Sequence, residues 1–386
     1  MKKIIGIAAV AAMVATSAFA DGITVSGWGR GLFTPVAGNG KEVVSNEGTS
    51  WSNSLPRVGF TVAGSTEYVG FQTDWTGENG GVGDDAFMWV KPAKMLKVAI
   101  GRTQDDTLRG NASFGIFNWI RFGFGWTGED VTFTRLGNGT GGQLQGAIVM
   151  LDPIEGLHIA AGVNVQDGET AADNFGHYGQ YQIGYTIKDI GTIKAQYIGK
   201  PEGYNWDGDK VNYGVINAAF DLTAVKNLLV SVGAYIPTAD TYTVDTTTLT
   251  AAQDNVTKVN GYVRYSMDAL TLHGLVATEI NVWDQKDTSK DDKVFGFAVG
   301  VGADYDLGNG LGLVGDVRYS DKVYNSSSSD GNDALVFLAG IEKGFSNGKI
   351  GVGFEGGTNG IGPFTAADAD DDAFTWALPV KIEYWF

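Results

Sequence analysis

Phe374-Thr-Trp-Ala-Leu-Pro-Val-Lys-Ile-Glu-Tyr-Trp-Phe386 is the stretch that decides the fold. Its even positions, Phe374, Trp376, Leu378, Val380, Ile382, Tyr384 and Phe386, are all apolar or aromatic, whereas its odd positions include Thr375, Lys381 and Glu383. Successive side chains of a β-strand point to opposite faces, so this segment has one unbroken apolar face and one largely polar face. Aromatic residues stand at both ends of the apolar face with aliphatic ones between them. That is the pattern of a strand crossing a bilayer between two aromatic girdles. The alternative, an amphipathic strand of a soluble sheet, rarely ends on a free terminal Phe after so regular a run.

The other end of the chain points the same way. Lys2 and Lys3 precede an apolar run from Ile4 to Val14, and Ala18-Phe19-Ala20 supplies small residues before a cleavage point. Residues 1–20 are therefore expected to be a secretory signal peptide, with residues 21–386 forming one domain that starts at Asp21. No later run reaches the roughly 20 apolar residues that a spanning helix needs. The chain has no cysteine, which excludes a disulfide framework and thiolate metal sites. With 57 Gly, 20 Phe, 15 Tyr and 10 Trp against 8 Pro, the composition is that of strands and turns. Its net charge of −17 argues against a nucleic-acid partner, which requires a basic face.

Between the ends one unit repeats: alternating strand, tight turn, alternating strand, longer polar loop. Short turns are expected at Ala63–Thr66, around Pro92, and at Asp152–Glu155, Lys188–Gly191, Leu222–Lys226, Met267–Ala269, Leu307–Gly310 and Phe345–Gly348, each carrying residues that tight reversals favour. Each turn joins two strands, and the first and last strands complete the set. The expectation is a transmembrane antiparallel β-barrel of about eighteen strands, within a range of sixteen to twenty. Asn118–Gly142 is the ambiguous segment, either a further hairpin or part of a loop folded inward.

Catalysis leaves little trace. His158, His177 and His273 are scattered and have neither a nucleophile motif nor metal-ligand spacing nearby, so no enzyme, cofactor or metal is expected. Charges at positions flanked by apolar neighbours are more informative. Parity places Arg30, Arg57, Asp74, Arg121, Lys194, Arg264, Glu279, Asp316, Arg318 and Glu355 inside the barrel, because Arg or Lys facing lipid near the midplane costs about 2–4 kcal/mol. His273 alternates with the outward Leu272 and Gly274 and is expected to line the lumen.

Three segments carry a family resemblance: Ser54-Leu-Pro-Arg-Val-Gly-Phe60, Tyr68-Val-Gly-Phe-Gln72 and Lys97-Val-Ala-Ile-Gly-Arg102. Together with the terminal Phe, they resemble the trimeric general porins of Gram-negative outer membranes. The resemblance implies passive diffusion of small hydrophilic solutes and ions, a homotrimer, and contact with outer-membrane lipid and lipopolysaccharide. It further implies that Arg57 and Arg102 belong to a basic wall, that Thr103–Asn118 is an inward constriction loop, and that Asp105 and Asp106 are the acidic partners. Arg109 lies on the same loop, and Arg135 resembles a third basic-wall position. The chain departs from the family pattern at Asn111-Ala-Ser-Phe-Gly115, which lacks the usual acid, and Arg102 shares parity with the outward Ile100. A substrate-selective channel for sugars or dicarboxylates and a surface barrel without an open pore are the alternatives. Acidic loops such as Asp368–Asp372 suggest weak cation preference at the mouth. The run Ala366–Asp372 could hold a divalent cation against lipopolysaccharide phosphates, or simply be a solvated loop.

Overall fold

A computed structural model describes residues 22–38, 43–46, 57–77, 81–109, 136–139, 142–143, 145–164, 170–200, 203–205, 208–245, 250–253, 256–283, 293–325, 333–359 and 373–386. The barrel wall is built in chain order from β1 (Ile23–Gly38), β2 (Arg57–Ser65), β3 (Val69–Thr76), β4 (Gly81–Ala93), β5 (Leu96–Arg102) and β6 (Gln145–Leu151). It continues through β7 (Leu157–Asn164), β8 (Gln180–Ile187), β9 (Gly191–Gly199), β10 (Gly214–Leu222), β11 (Leu228–Pro237) and β12 (Lys258–Met267). The last six are β13 (Leu270–Trp283), β14 (Lys293–Gly308), β15 (Leu311–Ser320), β16 (Ala334–Phe345), β17 (Gly348–Gly357) and β18 (Val380–Trp385).

Each strand pairs antiparallel with the next, and the ring closes where β1 pairs with both β2 and β18, in registers such as Trp28↔Gly59 and Trp28↔Trp385. The sheet counts 20 strands because it also includes Val43–Asn46, laid on β1, and Thr375–Ala377. Thr375–Ala377 occupies the same position in the ring as β18, from which Leu378 and Pro379 separate it, so eighteen staves close the barrel. Proline has no N–H to give to a ladder, which is why the final strand breaks there. Its carbonyl still accepts from the Gly353 N–H at 3.0 Å, and the even positions keep facing outward across the break.

All eight expected turns join neighbouring strands. Asp189, Asn227, Asp268 and Asn309 adopt φ between 44° and 64° in four of them, a left-handed conformation that Asn and Asp tolerate better than most residues. β5 hydrogen-bonds directly to β6, from Leu96↔Leu151 to Arg102↔Gln145, so the connection between them adds no stave and the twenty-strand alternative falls away. Most of Asn118–Gly142, the expected leader 1–20, Arg121, Arg135 and Ala366–Asp372 lie outside the described residues.

The two faces of the wall differ as strand alternation requires. Met88, Ile100, Val301 and Ile382 are strongly exposed on the outside, whereas Lys194, Asp316, Arg318, Glu355 and Lys381 are buried on the inside. An apolar band of this extent needs lipid around it, since soluble monomers rarely expose contiguous apolar patches beyond a few hundred Å². No described helix is long and apolar enough to cross a membrane; here strands do so. The chain is a transmembrane β-barrel.

Candidate functional site

The register of β8, β9 and β10 sets Gln182, Gln196 and Asn217 side by side on the inner wall. Their amides form a chain: Asn217 Nδ2 donates to Gln196 Oε1 (3.1 Å) and Gln196 Nε2 to Gln182 Oε1 (3.4 Å). Gln182 Nε2 in turn donates to Asp105 Oδ2 at 2.6 Å. Asp105 belongs to the connection after β5, so residues 103–109 turn into the barrel and lie along its wall. The return of that connection is held there too, by mutual backbone hydrogen bonds between Asp105 and Leu136 (2.8 and 3.1 Å).

His158, near the start of β7, clamps this segment. Its Nε2 lies 2.7 Å from Asp105 Oδ2, and its Nδ1 lies 2.7 Å from Asp152 Oδ1 in the turn between β6 and β7. Two carboxylates on the two ring nitrogens are both satisfied when the imidazole carries both protons. Thr107 closes the other side of Asp105, donating from its N–H (3.0 Å) and hydroxyl (2.6 Å) to Oδ1. Burial works to raise the Asp105 pKa, but the hydrogen bonds from His158 and Thr107 outweigh it and hold the carboxyl below its ordinary range.

Apolar packing completes the anchorage. Leu136, Ala99, Ile148, Met150, Ala160 and Ile198 form a buried cluster inside the barrel, flanked by Phe87 and Trp89. Leu108 belongs to a second cluster with Ala219, Tyr262 and Leu275, and lies so close to Gly184 that a Cβ there would sit 2.4 Å from its Cδ2. Glycine at 184 is what lets the segment reach the wall.

Elsewhere several lumenal charges are paired. Lys194 meets Asp221 at 2.8 Å and Lys258 meets Glu279 at 2.8 Å. At the closing seam, Glu383 lies between Arg30 (3.8 Å) and Lys349 (3.3 Å), and Lys349 is also 3.6 Å from Glu342, which accepts from Lys381. Gly351 stands opposite both Glu342 and Lys381, so no side chain separates that pair. A second inward feature follows β15: the helical turn Lys322–Asn325 packs Tyr324 against Ala277 and Ala298. Burial and then Glu279 push the Tyr324 phenol pKa up.

Arg30 faces the lumen, and Arg57 stands opposite it in register. Arg102 does not join them. It lies opposite Ala86 in register at the end of β5, and its guanidinium donates to the Val82 carbonyl at 3.2 Å. Asp105 is likewise held by His158 and Gln182 rather than aimed across the lumen, whereas Asp106 is exposed and Arg109 half-buried on the same segment. His158 escaped sequence reasoning because its two carboxylates lie 53 and 6 residues away. His273 lines the lumen, bonded to Tyr262 (2.8 Å) and Asp304 (2.9 Å).

No protein-family model matches the sequence, and no curated protein matches it. Solved structures do match. An anion-selective porin from Comamonas acidovorans superposes with a TM-score of 0.50 at 12% identity, over 94% of this chain and 99% of that one. OmpF of Salmonella typhi, solved in complex with daunomycin, gives 0.47 at 15% identity, over 94% and 97%. At such identities the likeness is one of fold, and the fold is that of a porin-type β-barrel.

Proposed function

We propose that this barrel is an outer-membrane channel through which small hydrophilic solutes and ions diffuse passively. The observation that carries this reading is a closed eighteen-stave ring with a polar, charge-lined interior and an apolar exterior. Barrels of 16–18 strands are wide enough to leave an aqueous path. Residues 103–109 narrow that path from the β7–β10 side, in the manner of a fixed constriction. Opposed charges across a narrow wet lumen orient dipolar solutes and penalise apolar ones.

The channel carries out no chemical step. In support, both ring nitrogens of His158 and of His273 are occupied by carboxylates or a tyrosine. Export through the 1–20 leader, assembly as a homotrimer and contact with lipopolysaccharide complete the reading. Chemical crosslinking of the detergent-extracted protein tests the trimer.

The deciding experiment is conductance of the purified, refolded protein in a planar bilayer. Discrete, stable current steps that scale with bulk salt are expected. A correctly folded barrel that inserts and stays silent would make it a surface scaffold instead.

A further inference from the structure

Beneath the inward segment, at the end of the barrel closed by the short turns, lies a cavity of about 1060 Å³. Thr107, Leu108 and Arg109 line it on one side, and the first residues of β7 and β11, the last of β12 and the adjoining turns line much of the rest. Its acids are largely neutralised within the wall, since Asp152 is bound to His158, and Asp221 to Lys194. Its cations are not. Arg264 on β12, Lys226 in the turn before β11 and Lys94 in the turn before β5 all line the cavity, and among the described residues none of them has a carboxylate partner. Glu155, exposed in its own turn, is the remaining carboxylate without a partner there. The balance inside this vestibule is therefore cationic, opposite in sign to the chain as a whole.

Arg264 is the natural anchor. It lies on the inner face between Tyr262 and Ser266, with Leu229 and His273 as its cross-strand neighbours. The Asp304 carboxylate, two strands along that wall, is already bound by His273 at 2.9 Å. A lumenal guanidinium without a carboxylate keeps its full fork of donors for a solute, and that fork matches carboxylate geometry in two parallel hydrogen bonds. Ser266 and Thr223 add hydroxyl donors to the same lining.

We propose that this vestibule is a binding site for small dicarboxylates, with one carboxylate on Arg264 and the second drawn by Lys226. The inference deepens the channel reading, on which it rests, by naming a solute class for its turn-side end. A site here slows and concentrates such anions beside the constriction, so they should block ion current more strongly when added from the turn side.

Titration calorimetry of the detergent-solubilised full-length barrel with succinate tests binding directly, independent of conduction. Saturable heat is expected from succinate and none from the uncharged butane-1,4-diol. Arg264→Gln should weaken succinate about tenfold, the loss of one charge-assisted contact, while Arg264→Lys keeps part of the affinity. Lys226→Gln, in an exposed turn, gives a second reading should Arg264→Gln fold poorly, with a severalfold loss. Equal affinity in wild type and the folded variants, or no saturable heat at all, overturns the site. Succinate binding lost on Arg264→Gln in a barrel that passes no current would leave the site standing and sink the channel. Stable current with an unaltered succinate response would do the reverse.

Discussion

The closing seam and the wall from β6 to β10 both carry buried polar groups facing inward, yet they use them for different ends. At the seam, Arg30, Glu383, Lys349, Glu342 and Lys381 bridge four neighbouring strands. The network is lateral: it ties wall to wall and fixes the register in which the last strand meets the first. Along β6–β10 the polar groups converge on Asp105, which is not in the wall at all. There the same chemistry holds a segment inside the lumen. A charge on a barrel's inner face can therefore serve closure or constriction, and its partner decides which.

The largest expected effect separates inside from outside at the seam. Ile382→Arg puts a charge on the lipid face, at about 2–4 kcal/mol near the midplane, and should prevent assembly, read as loss of the heat-modifiable folded band on a gel. Lys381→Ala, one residue away, should still assemble with a lowered unfolding temperature, because Lys349 remains beside Glu342 at 3.6 Å. Equal assembly of both variants would mean that the faces are misassigned.

Breaking the other region should spare the wall and release the segment. His158→Ala leaves Asp105 buried without its clamp, a loss of about 1–3 kcal/mol borne locally. Larger or noisier single-channel currents are expected from a barrel that still assembles. Unchanged currents would show that the apolar packing of Leu108 and Leu136 suffices on its own.

Acid should reach the same state by titration. The folded pKa of Asp105 is depressed, so its contribution is present above the ordinary carboxylate value of about 4 and is lost as pH falls through its own lower value. Conductance recorded from pH 7 down to 3 should become noisy at the acid end, and Asp105→Asn should remove that pH dependence. The smallest effect concerns Arg102, whose guanidinium is taken up by the Val82 carbonyl: Arg102→Gln should leave ion selectivity unchanged, whereas Arg30→Gln should shift the reversal potential toward cations.

Much of this architecture is legible in the chain because a barrel wall is local. Alternation with period two assigns faces strand by strand, and Gly, Asn, Asp and Pro mark the reversals. The eighteen staves, the inward Lys194, Arg264, Arg318 and Glu355, and the outward Ile382 all follow from spacing alone. A sign of something inside the barrel was also present, in Ala147-Ile-Val-Met-Leu151. This strand is apolar on both faces, and a wall bordering water on one side has no use for that. Ile148 and Met150 are covered from within by Leu136.

What alternation cannot supply is the identity of a partner across the lumen. Asp105 and Gln182 are 77 residues apart, and no period in the sequence links them. Ring closure brings β5, β7 and β8 around a common interior, and only then do Asp105, Asp152, His158 and Gln182 meet. The same closure leaves Arg264 without a carboxylate among the described residues while satisfying Lys194 and Lys381. Faces are set by the geometry of one strand and so are written in the sequence; pairings across the interior depend on how all eighteen strands close, and belong to the tertiary structure.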